Sequence, residues 1–389
     1  MIDTPEPQSA ALEIIQRPDR FVVEWQEGGE LHAAVWHSEN GAPPPGRIIA
    51  VNDDLTAAGA LRLALAGTAM LWRGDFPTAR RLLKALDTRI VRPANRSRTP
   101  AEEFHAQRQL QSRRARLLGM ILVQLDPSPT VSALRRAPDV AAACLHAYGV
   151  VSETRLVSLR ELLGVSSAYH WFVEGVAVPA LGARIHPHYG VFSPVRGEYV
   201  DLVAQAPLPS HRLAFDIGTG SGVLAAVLAA RGVQSIVATD REPRALACAR
   251  DNLDRLGYGE RVEILNADLY PAGRAPLVVC NPPWLPGKPR SPLDHAVYDP
   301  GSRMLRALLD RLGKHLTPDG EGWLVISDLA EHLGLSSRRD LLSAFDSAGL
   351  QVLDRLDTKP RHPRATDHSD PLHAARAAEI TSLWRLSPH

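Results

Sequence analysis

The sequence predicts an α/β protein whose C-terminal half is a parallel sheet with helices on both faces. Three observations predict it. From Arg212 onward, short apolar runs alternate with stretches of helical periodicity, as expected for strands joined by crossover helices. The first run ends in a glycine-rich turn, Asp216-Ile217-Gly218-Thr219-Gly220-Ser221-Gly222. The ends of the next two lead to acidic residues, Asp240 and Asp268.

The strands are expected at Arg212–Asp216, Ser235–Asp240, Val262–Leu265, Leu277–Cys280, Gly322–Ser327, Gln351–Leu356 and Glu379–Leu386. Helices fall at Val223–Ala230, Pro243–Leu256, Met304–Leu316 and Arg338–Ala348. Pro243 suits a first helical turn and Gly349 a C-terminal cap. No helix is read between the last two strands, so they are expected to form a hairpin at one edge.

The N-terminal part reads as strand Arg47–Val51, helix Leu55–Ala66, strand Ala69–Trp72 and helix Pro77–Leu86. Helical patterns follow at Pro100–Leu125, Ser132–Tyr148 and Ser158–Leu163. This is a mixed α/β or mainly helical region, with no defensible internal repeat.

The totals narrow the function. The chain has 389 residues, 45% hydrophobic and 22% charged, with net charge +1, so composition does not mark it as a polyanion binder. The charge is uneven. Arg62 to Arg136 holds 15 basic against 5 acidic residues, and the first 50 residues hold 3 against 8. The basic stretch reads either as a solvated helical face or as a nucleic-acid surface, although it is poor in aromatics for base stacking. Cys144, Cys248 and Cys280 are far apart, with no CxxC pair. Neither a disulfide framework nor a zinc site is expected, which suits a reducing cytoplasm. Neither a signal peptide nor a membrane span is expected, and the richest apolar run, Leu224 to Ala230, is short.

The glycine-rich turn follows a strand and opens a helix. Its glycines permit a tight turn and let backbone N–H groups approach a ligand. It is not the dinucleotide fingerprint, because a third glycine spaced from Gly218 and Gly220 would fall at Val223. That spacing disfavours a nicotinamide oxidoreductase. A carboxylate at Asp240 can take both hydroxyls of a ribose, and Asp268 can accept from an adenine amino group. Taken singly, these residues read as a chain reversal, a cap for the helix at Pro243 and a turn cap. Together, in order on the carboxyl edge of one sheet, they read as a nucleoside site.

After the fourth strand comes Asn281-Pro282-Pro283-Trp284. The prolines stiffen the loop and remove donors. Asn281 Oδ1 and the Pro282 carbonyl make two acceptors for the hydrogens of a planar –NH₂. Accepting from both frees the nitrogen lone pair for attack, and Trp284 is expected to stack on the planar target. The plainer reading is a proline-rich loop with a packing tryptophan.

Together these segments resemble class I S-adenosylmethionine-dependent methyltransferases of the amino-methylating branch. That branch includes the release-factor glutamine, rRNA guanine-N2 and adenine-N6, and DNA adenine-N6 enzymes. The resemblance covers roughly Ile185 to Leu386. It implies a Rossmann-like seven-stranded methyltransferase sheet in residues 185–389, with residues 1–184 as an N-terminal substrate-recognition domain. It implies that Gly218 and Gly220 line the methionine part of S-adenosylmethionine, Asp240 holds the ribose and Asp268 the adenine amine. Asp216, Thr219, Gly222, Arg241, Ala267 and Leu269 complete the cofactor set, and Asn281 borders both cofactor and target. Catalysis falls to Asn281, Pro282, Pro283 and Trp284, although the family more often has Tyr or Phe where Trp284 stands.

Tyr189–Pro194 resembles a segment that covers the cofactor, through Phe192 and Pro194. Asp294–Pro300 loosely resembles a loop of the glutamine-methylating group, in which His295 is a bystander or a substrate contact. The loop Thr358–Arg376, with His362, His368 and His373, is a solvated loop or a substrate grip, and no metal is expected. RNA is the first expected partner, with rRNA at guanine N2 or adenine N6 as the expected target, then a protein glutamine at N5, then a small-molecule amine. A non-catalytic nucleotide-binding scaffold is the rival of another class.

Overall fold

The computed structural model describes residues 21–90, 98–361 and 366–389. The N-terminal sheet is built from β1 (Val22–Glu27), β2 (Glu30–Trp36), β3 (Arg47–Val51), β4 (Thr68–Trp72), β5 (Ile121–Leu125) and β6 (Arg155–Ser158), in the order β1-β2-β6-β5-β4-β3. Its helices are α1 (Ala57–Leu65), α2 (Phe76–Arg89), α3 (Pro100–Leu118), α4 (Ala141–Tyr148) and α5 (Leu159–Glu174). Caps set several starts. Thr99 and Glu102 form a reciprocal capping box ahead of α3, and the Ser158 hydroxyl accepts from the Glu161 N–H ahead of α5.

This region is therefore mixed α/β, not mainly helical. The helix expected over Pro100–Leu125 ends at Gly119, and its last residues form β5. Ile121, Leu122 and Val123 are all buried, and a strand covered on both faces loses the alternation that would have marked it. Only Ala141–Tyr148 of the segment expected from Ser132 is helical. The segment expected as helical from Ser158 opens on the end of β6 and runs on to Glu174.

A small hairpin, β7 (Val176–Val178) with β8 (Ala183–Ile185), leads to α6 (Glu198–Gln205). The second sheet follows: β9 (Leu213–Ile217), α7 (Val223–Ala230), β10 (Ser235–Asp240), α8 (Pro243–Arg255), β11 (Val262–Asn266), β12 (Ala275–Cys280), α9 (Arg303–His315), β13 (Leu316–Ser327), α10 (Leu329–His332), α11 (Arg338–Ser347), β14 (Leu350–Thr358), α12 (His373–Ala378) and β15 (Thr381–Pro388). Its order is β11-β10-β9-β12-β13-β15-β14, parallel except for β15. The last two strands pair antiparallel at one edge as expected, but the short α12 lies between them, and the inner of the two is β15. Its apolar run Leu383, Trp384 and Leu386 is buried, which an edge position would not provide.

The two sheets meet along two seams. On one, Arg244 of α8 donates to the Glu39 carboxylate at 2.5 Å and to the Ala147 carbonyl at 2.9 Å. On the other, α3 lies against the segment that follows β12.

Candidate functional site

Register decides which residues share the carboxyl edge. Ile217 at the end of β9 pairs with Thr239 of β10 on one side and with Cys280 of β12 on the other. Asp240 pairs with Asn266. The next residues therefore stand in one row: Asn281, Gly218, Asp240, then Ala267. Positions separated by more than twenty residues in sequence become neighbours because four parallel strands end at one level.

The turn after β9 is held from beneath. Gly218, Gly220 and Gly222 have φ of +70°, +55° and +79°, values that favour glycine. The Asp216 carboxylate is 1% exposed and accepts from the Thr219 hydroxyl at 2.6 Å and from the Ala225 N–H at 3.1 Å. Burial pushes its pKa up to about 6 against those two hydrogen bonds. Asp216 and Thr219, expected among the cofactor contacts, are thus committed to the turn itself. Gly222 is committed as well. A Cβ there would meet Ala249 Cα at 3.1 Å, so it permits close packing of the turn on α8. At Gly220 the nearest atom to an added Cβ is 4.0 Å away, which leaves its face open to a ligand.

Asp240 is half-buried, and its two oxygens are divided. One accepts from the Gly220 N–H at 3.0 Å, the other from the Glu242 N–H at 3.0 Å. The second is a local turn bond ahead of α8, whose N-cap is Glu242 without a side-chain cap bond, so Asp240 does not cap that helix; the first ties the carboxylate to the glycine turn. Arg241 and Asp268 are exposed. Leu269 has φ +73°, uncommon for a leucine, and its carbonyl accepts from the Thr239 hydroxyl at 2.5 Å. That bond anchors the turn after β11. Phe192 packs partly buried against the sheet core, and Pro194 is buried.

At the end of β12 the indole N–H of Trp284 donates to Asn281 Oδ1 at 3.0 Å and to the Val325 carbonyl at 3.2 Å. The ring packs against core residues, with the Arg196 guanidinium over it at 5.3 Å from the centroid. The free stacking platform expected from the sequence is therefore not what the structure presents. The indole has a polar edge, and that edge finds partners in a half-buried setting. Trp284 instead orients the Asn281 amide, and a carbonyl oxygen so held keeps a second lone pair for another donor.

Sequence reasoning missed Arg196. Its guanidinium also reaches Glu198 at 3.0 Å and Glu379 at 2.7 Å, both carboxylates being buried, and Glu379 accepts from the Ser327 hydroxyl at 2.6 Å. The spacing of Arg196 and Glu198 was visible, but Glu379 is distant in sequence. Cys280 directly precedes the motif, and burial pushes its thiol well above the ordinary range, so it is no nucleophile.

The remaining expectations fall outside this row. His295 is exposed in a short 3-10 turn. His362 lies outside the described residues, and the rings of His368 and His373 are 4.2 Å apart. Among the described residues no cluster of His, Cys, Asp or Glu could hold a metal ion, and no helix is long and apolar enough to cross a membrane.

The donor set fits a nucleoside cofactor such as S-adenosylmethionine. Gly218 and Gly220 offer backbone without Cβ hindrance, Asp240 offers a carboxylate beside them, and Asp268 an exposed carboxylate after the third strand.

Comparison with known proteins finds several similar chains. The methyltransferase small domain family model matches residues 182–348. A tRNA1(Val) (adenine(37)-N6)-methyltransferase of Shewanella loihica is 30% identical over 40% of this chain and 72% of its own. A release factor glutamine methyltransferase of Cereibacter sphaeroides is 30% identical over 43% of this chain and 63% of its own. Among solved structures, a ribosomal protein L11 methylase from Lactobacillus delbrueckii subsp. bulgaricus shares 19% identity. It aligns with a TM-score of 0.37 over 53% of this chain and 86% of that one.

Proposed function

Because this chain belongs to the class I S-adenosylmethionine-dependent methyltransferases of the N-methylating branch, we propose that it methylates an exocyclic amine of an RNA base. The observation that carries the reading is the shared row of Asn281, Gly218 and Asp240 at the ends of β12, β9 and β10. Bound S-adenosylmethionine supplies a methyl group already activated on a sulfonium sulfur. The protein then has to hold the target nitrogen in line and draw its lone pair out of conjugation, and it needs no strong base. Asn281 Oδ1 and the Pro282 carbonyl accept the two amine hydrogens. Trp284 keeps the Asn281 amide turned to the task, and Asp216 with Thr219 holds the glycine turn in shape.

RNA is favoured over a protein glutamine by the surface of the N-terminal half. Several of the expected basic residues are spent on tertiary ion pairs: Arg73 with Glu27, Arg108 with Asp294, Arg114 with Asp87, Arg135 with Asp53 and Arg136 with Asp75. Arg80, Arg81, Lys84 and Arg89 on α2, with Arg113 and Arg116 on α3, remain exposed on helices that pack together. Such a group suits a phosphate backbone. The named relative that acts on a tRNA adenine supports the same choice. A cytoplasmic setting is supported by three buried free thiols.

The test uses total RNA and total protein from cells lacking this chain, incubated with tritiated S-adenosylmethionine. Label enters RNA, transfer falls steeply as salt is raised, and Asn281→Ala abolishes transfer while S-adenosylhomocysteine binding stays near wild type. Label found in protein would move the assignment to a glutamine amide. Near-wild-type transfer by Asn281→Ala would remove the mechanism.

A further inference from the structure

We propose that α3 of the N-terminal half is a strut for the segment 285–302 that follows the Asn281–Trp284 motif, and that Arg108 is its positioning residue. The proposal rests on reading that motif as catalytic.

The segment leaves Trp284, loops out and returns to it. The Leu285 N–H donates to the Val297 carbonyl at 3.0 Å, and the Asp299 N–H returns to the Leu285 carbonyl at 2.9 Å. Leu285 and Tyr298 form an isolated parallel bridge. The loop thus closes on the residue next to Trp284. Between the bridge residues there are only turns and one short 3-10 helix, with three prolines, and few backbone hydrogen bonds define its shape.

One helix supplies what the loop lacks. Arg108 is 8% exposed. Its guanidinium lies 3.6 Å from the centroid of the Tyr298 ring, donates to the Lys288 carbonyl at 2.5 Å and stands 3.6 Å from the Asp294 carboxylate. The loop also reaches back, since the Arg290 guanidinium donates to the Arg108 carbonyl and the Ser112 hydroxyl. One turn earlier on α3, buried Phe104 packs in a cluster with Leu285, Leu329, Leu333 and Leu372. Gln107 bonds to Asp370 at 3.3 Å near α12.

A planar guanidinium can stack on a ring and donate in its plane at the same time, which an ammonium cannot. Arg108 uses both properties, so lysine is a poor substitute. The contacts run from Arg108 through Tyr298 and Leu285 to Trp284, whose indole holds the Asn281 amide. The N-terminal half therefore also supports the loop beside the motif, and acceptor geometry at Asn281 depends on a residue of α3.

The experiment compares the full chain with Arg108→Ala and Arg108→Lys by hydrogen exchange and by turnover. In both variants the amides of Leu285, Val297, Tyr298 and Asp299 exchange at least about tenfold faster, the scale of one lost charge-assisted hydrogen bond. Peptides spanning 213–240 keep their protection, and S-adenosylhomocysteine affinity is unchanged. Turnover on the RNA and protein pools falls in kcat with the cofactor KM unmoved. Arg108→Lys keeps the charge and the aliphatic stem, and it decides the question if the alanine variant does not fold. Unchanged exchange in 285–302 overturns the strut, and faster exchange with wild-type kcat overturns the positioning role. If the wild-type chain labels neither pool, the exchange data alone decide the strut, so its failure is distinguishable from failure of the RNA assignment.

Discussion

Replacing Asp216 by asparagine separates two demands made on one side chain. The carboxylate is almost fully buried and accepts the Thr219 hydroxyl and the Ala225 N–H, both on the same oxygen. Burial lifts its pKa from the ordinary 3.8 to about 6. A raised carboxyl pKa means that the folded chain binds the proton more tightly than the unfolded chain. Its contribution to stability is therefore greatest in acid and declines as pH rises from about 4 to 6, after which it is constant. At 1.36 kcal/mol per unit, the ionised form costs about 3 kcal/mol above that window, of which about 2 kcal/mol develops between pH 4.5 and pH 8.

Asparagine keeps an acceptor for both donors but does not titrate, and it adds two amide hydrogens that cost about 1–3 kcal/mol if unpaired. Asp216→Asn is therefore less stable than wild type at pH 4.5. It gains about 2 kcal/mol relative to wild type by pH 8, or roughly 4–8 °C in Tm for a unit of this size. The assay is thermal or urea unfolding of both chains at the two pH values, followed by near-ultraviolet circular dichroism. A difference between the chains that stays flat with pH, or that moves in favour of wild type as pH rises, would refute the burial argument.

Two further outcomes follow from the same geometry. Trp284→Phe keeps an aromatic ring but removes the donor shared by Asn281 and Val325, so kcat falls about tenfold while S-adenosylhomocysteine affinity, measured by calorimetry, stays within about twofold; an unchanged kcat would show that the indole does not orient the amide. Gly222→Ala places a methyl against Ala249 at positive φ, destabilising the chain by about 2–4 kcal/mol in urea unfolding; a loss below about 1 kcal/mol would mean that the turn can shift.

The row of Asn281, Gly218 and Asp240 was legible because each of its members lies within a few residues of a strand end, and strand ends can be read from local pattern. The tight turn at Gly218–Gly222 announces its positive φ through glycine alone. The central strands of the second sheet were readable for the same reason, as short apolar runs bounded by polar residues, whereas β13 starts at Leu316, six residues before the apolar run that marks it, and β14 is largely exposed. In the first sheet β1, β2, β5 and β6 escaped notice, β5 because it is buried on both faces and follows a long helix with a two-residue break at Gly119 and Met120.

What the sequence by itself determined, then, is local: the α/β class, the positions of the strands in the second half, the glycine turn and the stiff Asn281–Trp284 loop follow from residues near one another in the chain. Only the tertiary structure decided what those residues touch. It turned Asp216 inward, set the Trp284 indole against Asn281, inserted β15 between β13 and β14, and brought Arg108 to Tyr298. Such pairings join positions far apart in the chain, and they depend on packing and on where buried polar groups find partners, neither of which leaves a periodic mark on the sequence.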